Sequence, residues 1–202
     1  MAQTTLRLIL GDQLNREHSW FSEKDEKVHY LFMEMRQETD YARHHIQKVI
    51  AFFLAMRQFA EELREAGHQV HYLTLDDEAN KQSLEDNLSH FFQKLHIQKF
   101  EYQLPDEYRL DRQLSAFCES LDIPCEAFDT QHFLTERMEV EELFEGKKTY
   151  LMETFYRKMR KKYEVLMEPD GETPLTGKWN YDEENRKKLP KSVEIPGGPD
   201  FR

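Results

Sequence analysis

Residues 7–21, RLILGDQLNREHSWF, carry an apolar run directly into a glycine, a carboxylate and a carboxamide. A turn needs only Gly11. Asp12 and Gln13 add an acceptor-only carboxylate beside an amide that both donates and accepts. A second polar group, Glu38, Tyr41 and His44, follows the next apolar run. Spacing of three predicts that Tyr41 and His44 share one face in the first turns of a helix. A heteroaromatic ring bearing imide and ring-nitrogen groups is held by such a mixture of donors, acceptors and an aromatic wall. Each residue also has a plainer role: Asp12 as a helix cap, Glu38 as a partner of a helix dipole, His44 as ordinary surface.

Other chemistries find no pattern. There is no GxGxxG, no HExxH, no GxSxG and no zinc-type Cys/His spacing. The stretch GETPLTGKW (171–179) resembles a phosphate loop only superficially. Five residues separate its glycines, and Trp179 stands where a magnesium-binding hydroxyl is needed. The nine histidines are scattered, and the adjacent pair His44–His45 points in two directions on a helix.

The elements that must position these groups alternate. Apolar runs at 5–11, 27–34, 68–75, 97–105 and 123–129 read as five strands, bounded by polar turns. Between them, 37–67 reads as one long helix, with Val49, Phe52, Phe53, Met56, Phe59, Ala60 and Leu63 on its inward face and Gly67 at its end. Residues 80–96 and 106–122 read as two more helices. This alternation predicts an α/β fold, a Rossmann-like doubly wound parallel five-stranded sheet with flanking helices. Such sheets bind ligands beyond the carboxyl ends of their strands, where both polar clusters fall. The alternation stops after residue 132. Residues 133–202 read as a helical and extended linker, with helices near 135–146 and 149–167 and a Pro/Gly-rich, charged remainder.

Composition narrows the class. With 39 % hydrophobic and 33 % charged residues the chain can build a core, unlike disordered sequences. Its longest apolar run, Val49–Met56, is too short to span a bilayer, so no membrane partner is expected. Without a recognisable secretion signal, and with only Cys118 and Cys125, the expectation is a cytoplasmic protein with both cysteines reduced as small apolar side chains. The net charge of −11 is uneven: residues 1–146 hold 15 basic and 29 acidic side chains (−14), residues 147–202 hold 13 and 10 (+3). An acidic body repels a phosphate backbone, so nucleic-acid contact is expected through the last quarter at most. There, FYRKMRKKY (155–163) interleaves Arg157, Lys158, Arg160, Lys161 and Lys162 with Phe155, Tyr156 and Tyr163. That pattern suits phosphate and base contacts, and equally a helix with a solvated basic face, the reading preferred here.

LILGDQLN, YARHHIQKVIAFFLAMRQFAEEL, FYRKMRKKYEVLM and GKWNYDEENRKKLP, in this order over about residues 7–190, together resemble the deoxyribodipyrimidine photolyase-related proteins, the prokaryotic (6-4) photolyases and iron–sulfur bacterial cryptochromes. The resemblance implies an amino-terminal antenna domain that binds 6,7-dimethyl-8-ribityllumazine. It also implies a helical carboxyl-terminal domain that binds FAD and a [4Fe–4S] cluster and acts on damaged DNA. Two cysteines cannot ligate that cluster, and this chain leaves no length for a flavin domain. The chain is read as antenna domain (1–132) plus linker (133–202), either a shortened form or a stand-alone version, with no catalytic residue of its own. Carried over by position, the resemblance assigns Gly11, Asp12, Gln13, Leu14, Glu38, Tyr41, His44 and Phe52 to the lumazine. Asp12 and Glu38 would hydrogen-bond ring or ribityl; Leu14, Tyr41 and Phe52 would wall the ring. Trp179 and Tyr181 would meet the FAD domain or DNA. Two rivals stand beside this reading: a universal-stress-type Rossmann-like nucleotide binder, and a docking fragment that has lost its pigment.

Overall fold

The structure is a computed structural model that describes residues 3–182, 185, 187–194 and 197–198. The chain divides into two compact units, 1–137 and 138–202.

The first unit is built on five parallel strands, β1 (Thr5–Leu8), β2 (Val28–Met33), β3 (Gln69–Leu73), β4 (Lys99–Gln103) and β5 (Cys125–Phe128). They lie in the order β3-β2-β1-β4-β5, with Thr5 opposite both Val28 and Lys99. The chain first winds outward from β1 through β2 to β3, then returns to place β4 on the other side of β1. Strand order therefore reverses between β1 and β4, which opens a crevice at their carboxyl ends.

Alternation along each strand sends side chains to two cores. Leu6, Leu8, Leu31, Met33, Leu73, Phe100 and Tyr102 face α3 (Leu84–Lys94) and α4 (Tyr108–Glu119), which contribute Leu84, Leu88, Phe91, Leu110, Leu114 and Phe117. Ile9, Tyr30 and Phe32 face the other way, against Trp20 and the Phe59, Ala60 and Leu63 of α2 (Ile46–Glu65). Helices on both faces of a parallel sheet make this the expected Rossmann-like architecture.

The single helix expected over 37–67 is corrected to two. A short α1 (Arg36–Asp40) is followed by a break over 41–45, and α2 starts at Ile46. α1 buries no residue, so no packing face carries the helix through the break. His45 turns extended and its Nδ1 accepts from the Gln47 N–H, giving α2 its own cap. Tyr41 and His44 thus lie in the break, not on a helical face, although their rings meet edge to face at 5.1 Å. Gly67, at φ +92°, ends α2 in the left-handed region, where a β-carbon is strained.

The cysteine expectation is also corrected. Cys118 on α4 and Cys125 on β5 form a disulfide, with Cα atoms 5.8 Å apart. Six residues lie between them in sequence, and the turn from α4 into β5 folds them together.

The second unit contains α5 (Glu139–Leu143) and α6 (Met152–Lys162). The expected solvated basic face on α6 is present in part: Arg157, Lys161 and Lys162 stay substantially exposed although paired, and Arg160 is the exception. Arg160 is buried and donates to the Val165 and Leu166 carbonyls, while Arg157 pairs with Glu153, Lys161 with Glu172 and Lys162 with Glu139. Trp179 lies under the guanidinium groups of Arg157 and Arg160, within this unit. Tyr181 is exposed. Of the expected linker, residues 183, 184, 186, 195, 196 and 199–202 lie outside the described residues.

Candidate functional site

A cavity of about 210 Å³ opens at the reversal point of the first unit, where a single water needs only ~10–15 Å³. Its floor is the last residue of β1 and the three after it (Leu8–Gly11), with Met33 at the end of β2 and Met35 beyond it. One wall is the first half of α2, through Val49, Phe52, Phe53 and Met56. The inward stripe of α2 thus serves two purposes: its amino-terminal half lines the cavity, and Phe59, Ala60 and Leu63 fill the core. Polar groups stand around this apolar lining: Asp12, Glu38, Tyr41, His44, Lys48 and Glu107.

Six of the eight residues expected at the site therefore line one cavity: Gly11, Asp12, Glu38, Tyr41, His44 and Phe52. Gly11 is where the backbone makes room. A β-carbon there would sit 2.2 Å from Cε1 and 2.6 Å from Cζ of Phe52, and 2.8 Å from the Met56 sulfur. Asp12 has its carboxyl raised above the ordinary range, first by partial withdrawal from water and then by the carboxylates of Asp106 and Glu107.

Gln13 and Leu14 are placed elsewhere. Gln13 is buried, its Oε1 accepting from the Leu10 N–H (3.0 Å) and its Nε2 donating to the Gln103 carbonyl (3.1 Å). It braces the β1 loop against the end of β4, so its amide is spent within the protein. Leu14 packs on the core beneath α2.

Three supporting residues escaped sequence reasoning. Arg109, at the start of α4, donates through Nη2 to both oxygens of Glu38 (3.3 and 3.1 Å) and pairs with Glu107 (3.2 Å). Its guanidinium also sits 4.9 Å from the Tyr41 ring centroid. Arg109 thereby ties the segment after β2 to the segment after β4. The second and third are Glu34 and Arg57. Glu34 is fully buried and accepts from Arg57 Nε (2.6 Å) and Nη2 (2.8 Å), the Tyr72 hydroxyl (2.7 Å) and the Leu75 N–H (2.9 Å). Burial alone would raise its carboxyl; these donors outweigh burial and hold it below the usual range. The network pins α2, and so the cavity wall, to β2 and β3. A glutamate ending an apolar strand and an arginine interrupting the apolar half of α2 were its only signals in sequence.

The profile of the deoxyribodipyrimidine photo-lyase-related protein family matches residues 7–202. A (6-4) photolyase of Agrobacterium fabrum is 34 % identical over 197 residues, 97 % of this chain and 38 % of that protein. The chain belongs to the photolyase-related family. It spans well under half the length of that relative. A second relative, Uncharacterized protein R852 of Acanthamoeba polyphaga mimivirus, is 25 % identical over 159 residues, 77 % of this chain and 78 % of that protein. Among the described residues of this photolyase-related chain, no three or more His, Cys, Asp or Glu side chains gather as a metal site, and no helix is long and apolar enough to cross a membrane.

Proposed function

We propose that the first unit is an antenna domain whose cavity binds 6,7-dimethyl-8-ribityllumazine, and that it serves a protein of the (6-4) photolyase or bacterial cryptochrome type. The observation that carries this reading is the apolar slot at the β1/β4 reversal point, rimmed by Asp12, Glu38, Tyr41 and His44. Its donor set suits the group. Carboxylates accept from ring imide and ribityl hydroxyls, Tyr41 and Phe52 offer aromatic faces, and Gly11 lets Phe52 and Met56 close onto the floor. When bound, the lumazine supplies absorption in the near-UV to blue and an excited state whose energy can pass to a second pigment. The chain's residues bind the ring, orient it and keep water from it.

On this reading the acceptor is FAD in a helical domain that also holds a [4Fe–4S] cluster, and the activity served is DNA photorepair or light signalling. Damaged DNA is met through that domain, with weak contact at most by this acidic unit. The compartment assigned on this reading is the cytoplasm, where a DNA-directed activity would work, although the Cys118–Cys125 disulfide removes the support that reduced cysteines would lend it.

Titrating purified protein with 6,7-dimethyl-8-ribityllumazine, followed by absorbance and fluorescence, tests the reading. Saturable binding with a rise in melting temperature is expected, since a ligand held only by the native state stabilises it. Asp12→Ala and Glu38→Ala should each weaken binding by about tenfold, the loss of one or two charge-assisted hydrogen bonds. Absence of saturable binding would overturn the assignment.

A further inference from the structure

Most of the groups that would welcome a phosphate at this crevice are engaged by the protein's own side chains. In doubly wound folds, a phosphate sits on a helix N-terminus beside the strand ends. Here α4 starts at the crevice, but Glu107 caps it, its Oε1 accepting from the Arg109 N–H (3.2 Å) and its Oε2 from the Leu110 N–H (3.3 Å). Arg109, the guanidinium nearest that helix start, is shared between Glu38 and Glu107. The start of α2 is likewise occupied, by the His45 imidazole on the Gln47 N–H. Around the cavity, Asp12, Glu38 and Glu107 face one lining lysine, Lys48. The Asp106 carboxylate adds to this field, and with Glu107 it helps raise Asp12.

We infer that the acidic rim of Glu107, Asp12 and Glu38, with Asp106 preceding Glu107 in the same loop, makes the cavity select an uncharged polyol side chain and reject its phosphate ester. This rests on the reading of the cavity as a lumazine site and deepens it: Glu107 and Asp106 become determinants of which pigment enters. A terminal phosphate brings two negative charges to a rim whose helix-start amides are capped. The Arg109 guanidinium already serves two carboxylates through Nη2, which leaves one buried N–H, its Nε, without a partner among the described residues. Discrimination comes from that repulsion as much as from attraction to the unphosphorylated ligand.

The test compares 6,7-dimethyl-8-ribityllumazine with its 5′-phosphate ester, titrated by fluorescence into the wild-type chain and three variants. The wild type is expected to bind the unphosphorylated pigment at least about tenfold more tightly, as one unfavourable charge contact in a partly dry site requires. Glu107→Gln and Asp106→Asn should each shrink that ratio by about threefold or more. Glu26→Gln removes one charge near the amino end of β2, away from the crevice, and should leave the ratio where it was. Melting curves establish that each variant is folded, and the exposed Asp106 supplies the answer if Glu107→Gln is not. A wild-type ratio near one, or a ratio untouched in both rim variants, would overturn the inference while leaving the lumazine site standing. Failure of the unphosphorylated pigment to bind would overturn the site itself and the inference with it.

Discussion

Gly11 shows how a single missing side chain shapes the cavity. Its neighbours Phe52 and Met56 occupy the volume that a β-carbon would need. In Gly11→Ala the Phe52 ring must swing away, into the cavity or out to solvent. Phe52 is partly exposed, so the ring can move, and the folding cost should stay within about 1–3 kcal/mol. Lumazine affinity should fall by more than the melting temperature suggests, and the double change Gly11→Ala with Phe52→Ala should recover part of it. Titration beside thermal unfolding of the three proteins checks this. That Asp12, Glu38, Tyr41 and His44 would gather at one cavity was legible because polar groups that follow strand ends converge there. Arg109 was not, because nothing in a run such as DEYRLDRQL says which carboxylate an arginine will reach. Gln13 was misplaced for a related reason: a buried amide bracing β1 to β4 has the same sequence signature as one aimed at a ligand.

At the scale of elements, α2 depends on the Glu34–Arg57 pair for its position. Glu34 is buried while Arg57 is half exposed, so removing Arg57 leaves a buried carboxylate with two acceptor sites unfilled. Arg57→Ala should therefore destabilise the fold by about 1–3 kcal/mol, the cost of an under-satisfied buried acceptor, which urea unfolding would measure. The same variant should weaken pigment binding, since Val49, Phe52, Phe53 and Met56 ride on the same helix. Strand and helix positions were largely readable, because period-two and period-3.6 patterns report which face is buried. The break at 41–45 was not readable. Polar YARHH is compatible with a continuous helix, and only the lack of anything for α1 to pack against, together with the His45 cap, interrupts it.

The molecule as a whole should lose stability in mild acid. His29 Nδ1 and His71 Nε2 lie 3.1 Å apart across β2 and β3, so one proton bridges them and a second imidazolium charge is repelled. Withdrawal from water, then His29, Lys94 and Arg64, push His71 down to about 4. A histidine whose folded pKa is depressed contributes stability that is full above its unfolded value of about 6.5 and is lost as the pH falls towards 4. Burial likewise lowers His18, His29 and His68, which adds in the same direction. Glu34 extends the loss below the ordinary carboxylate range, because its folded carboxyl is held low. Urea midpoints at pH 7 and pH 4.5 should differ by the equivalent of about 2 kcal/mol or more, and His71→Phe should reduce the difference.

Local pattern alone determined that this chain alternates strands and helices, that its first long stretch builds a doubly wound parallel sheet, and that polar groups follow the first two strands. Those are short-range properties, set by side-chain period and backbone propensity within a few residues. Tertiary structure decided the pairings: Arg109 with Glu38 and Glu107, Glu34 with Arg57, Cys118 with Cys125, and which polar residues face the cavity instead of bracing its frame. Each joins residues on different elements, whose meeting depends on how the helices settle on the sheet, and no local rule carries that information.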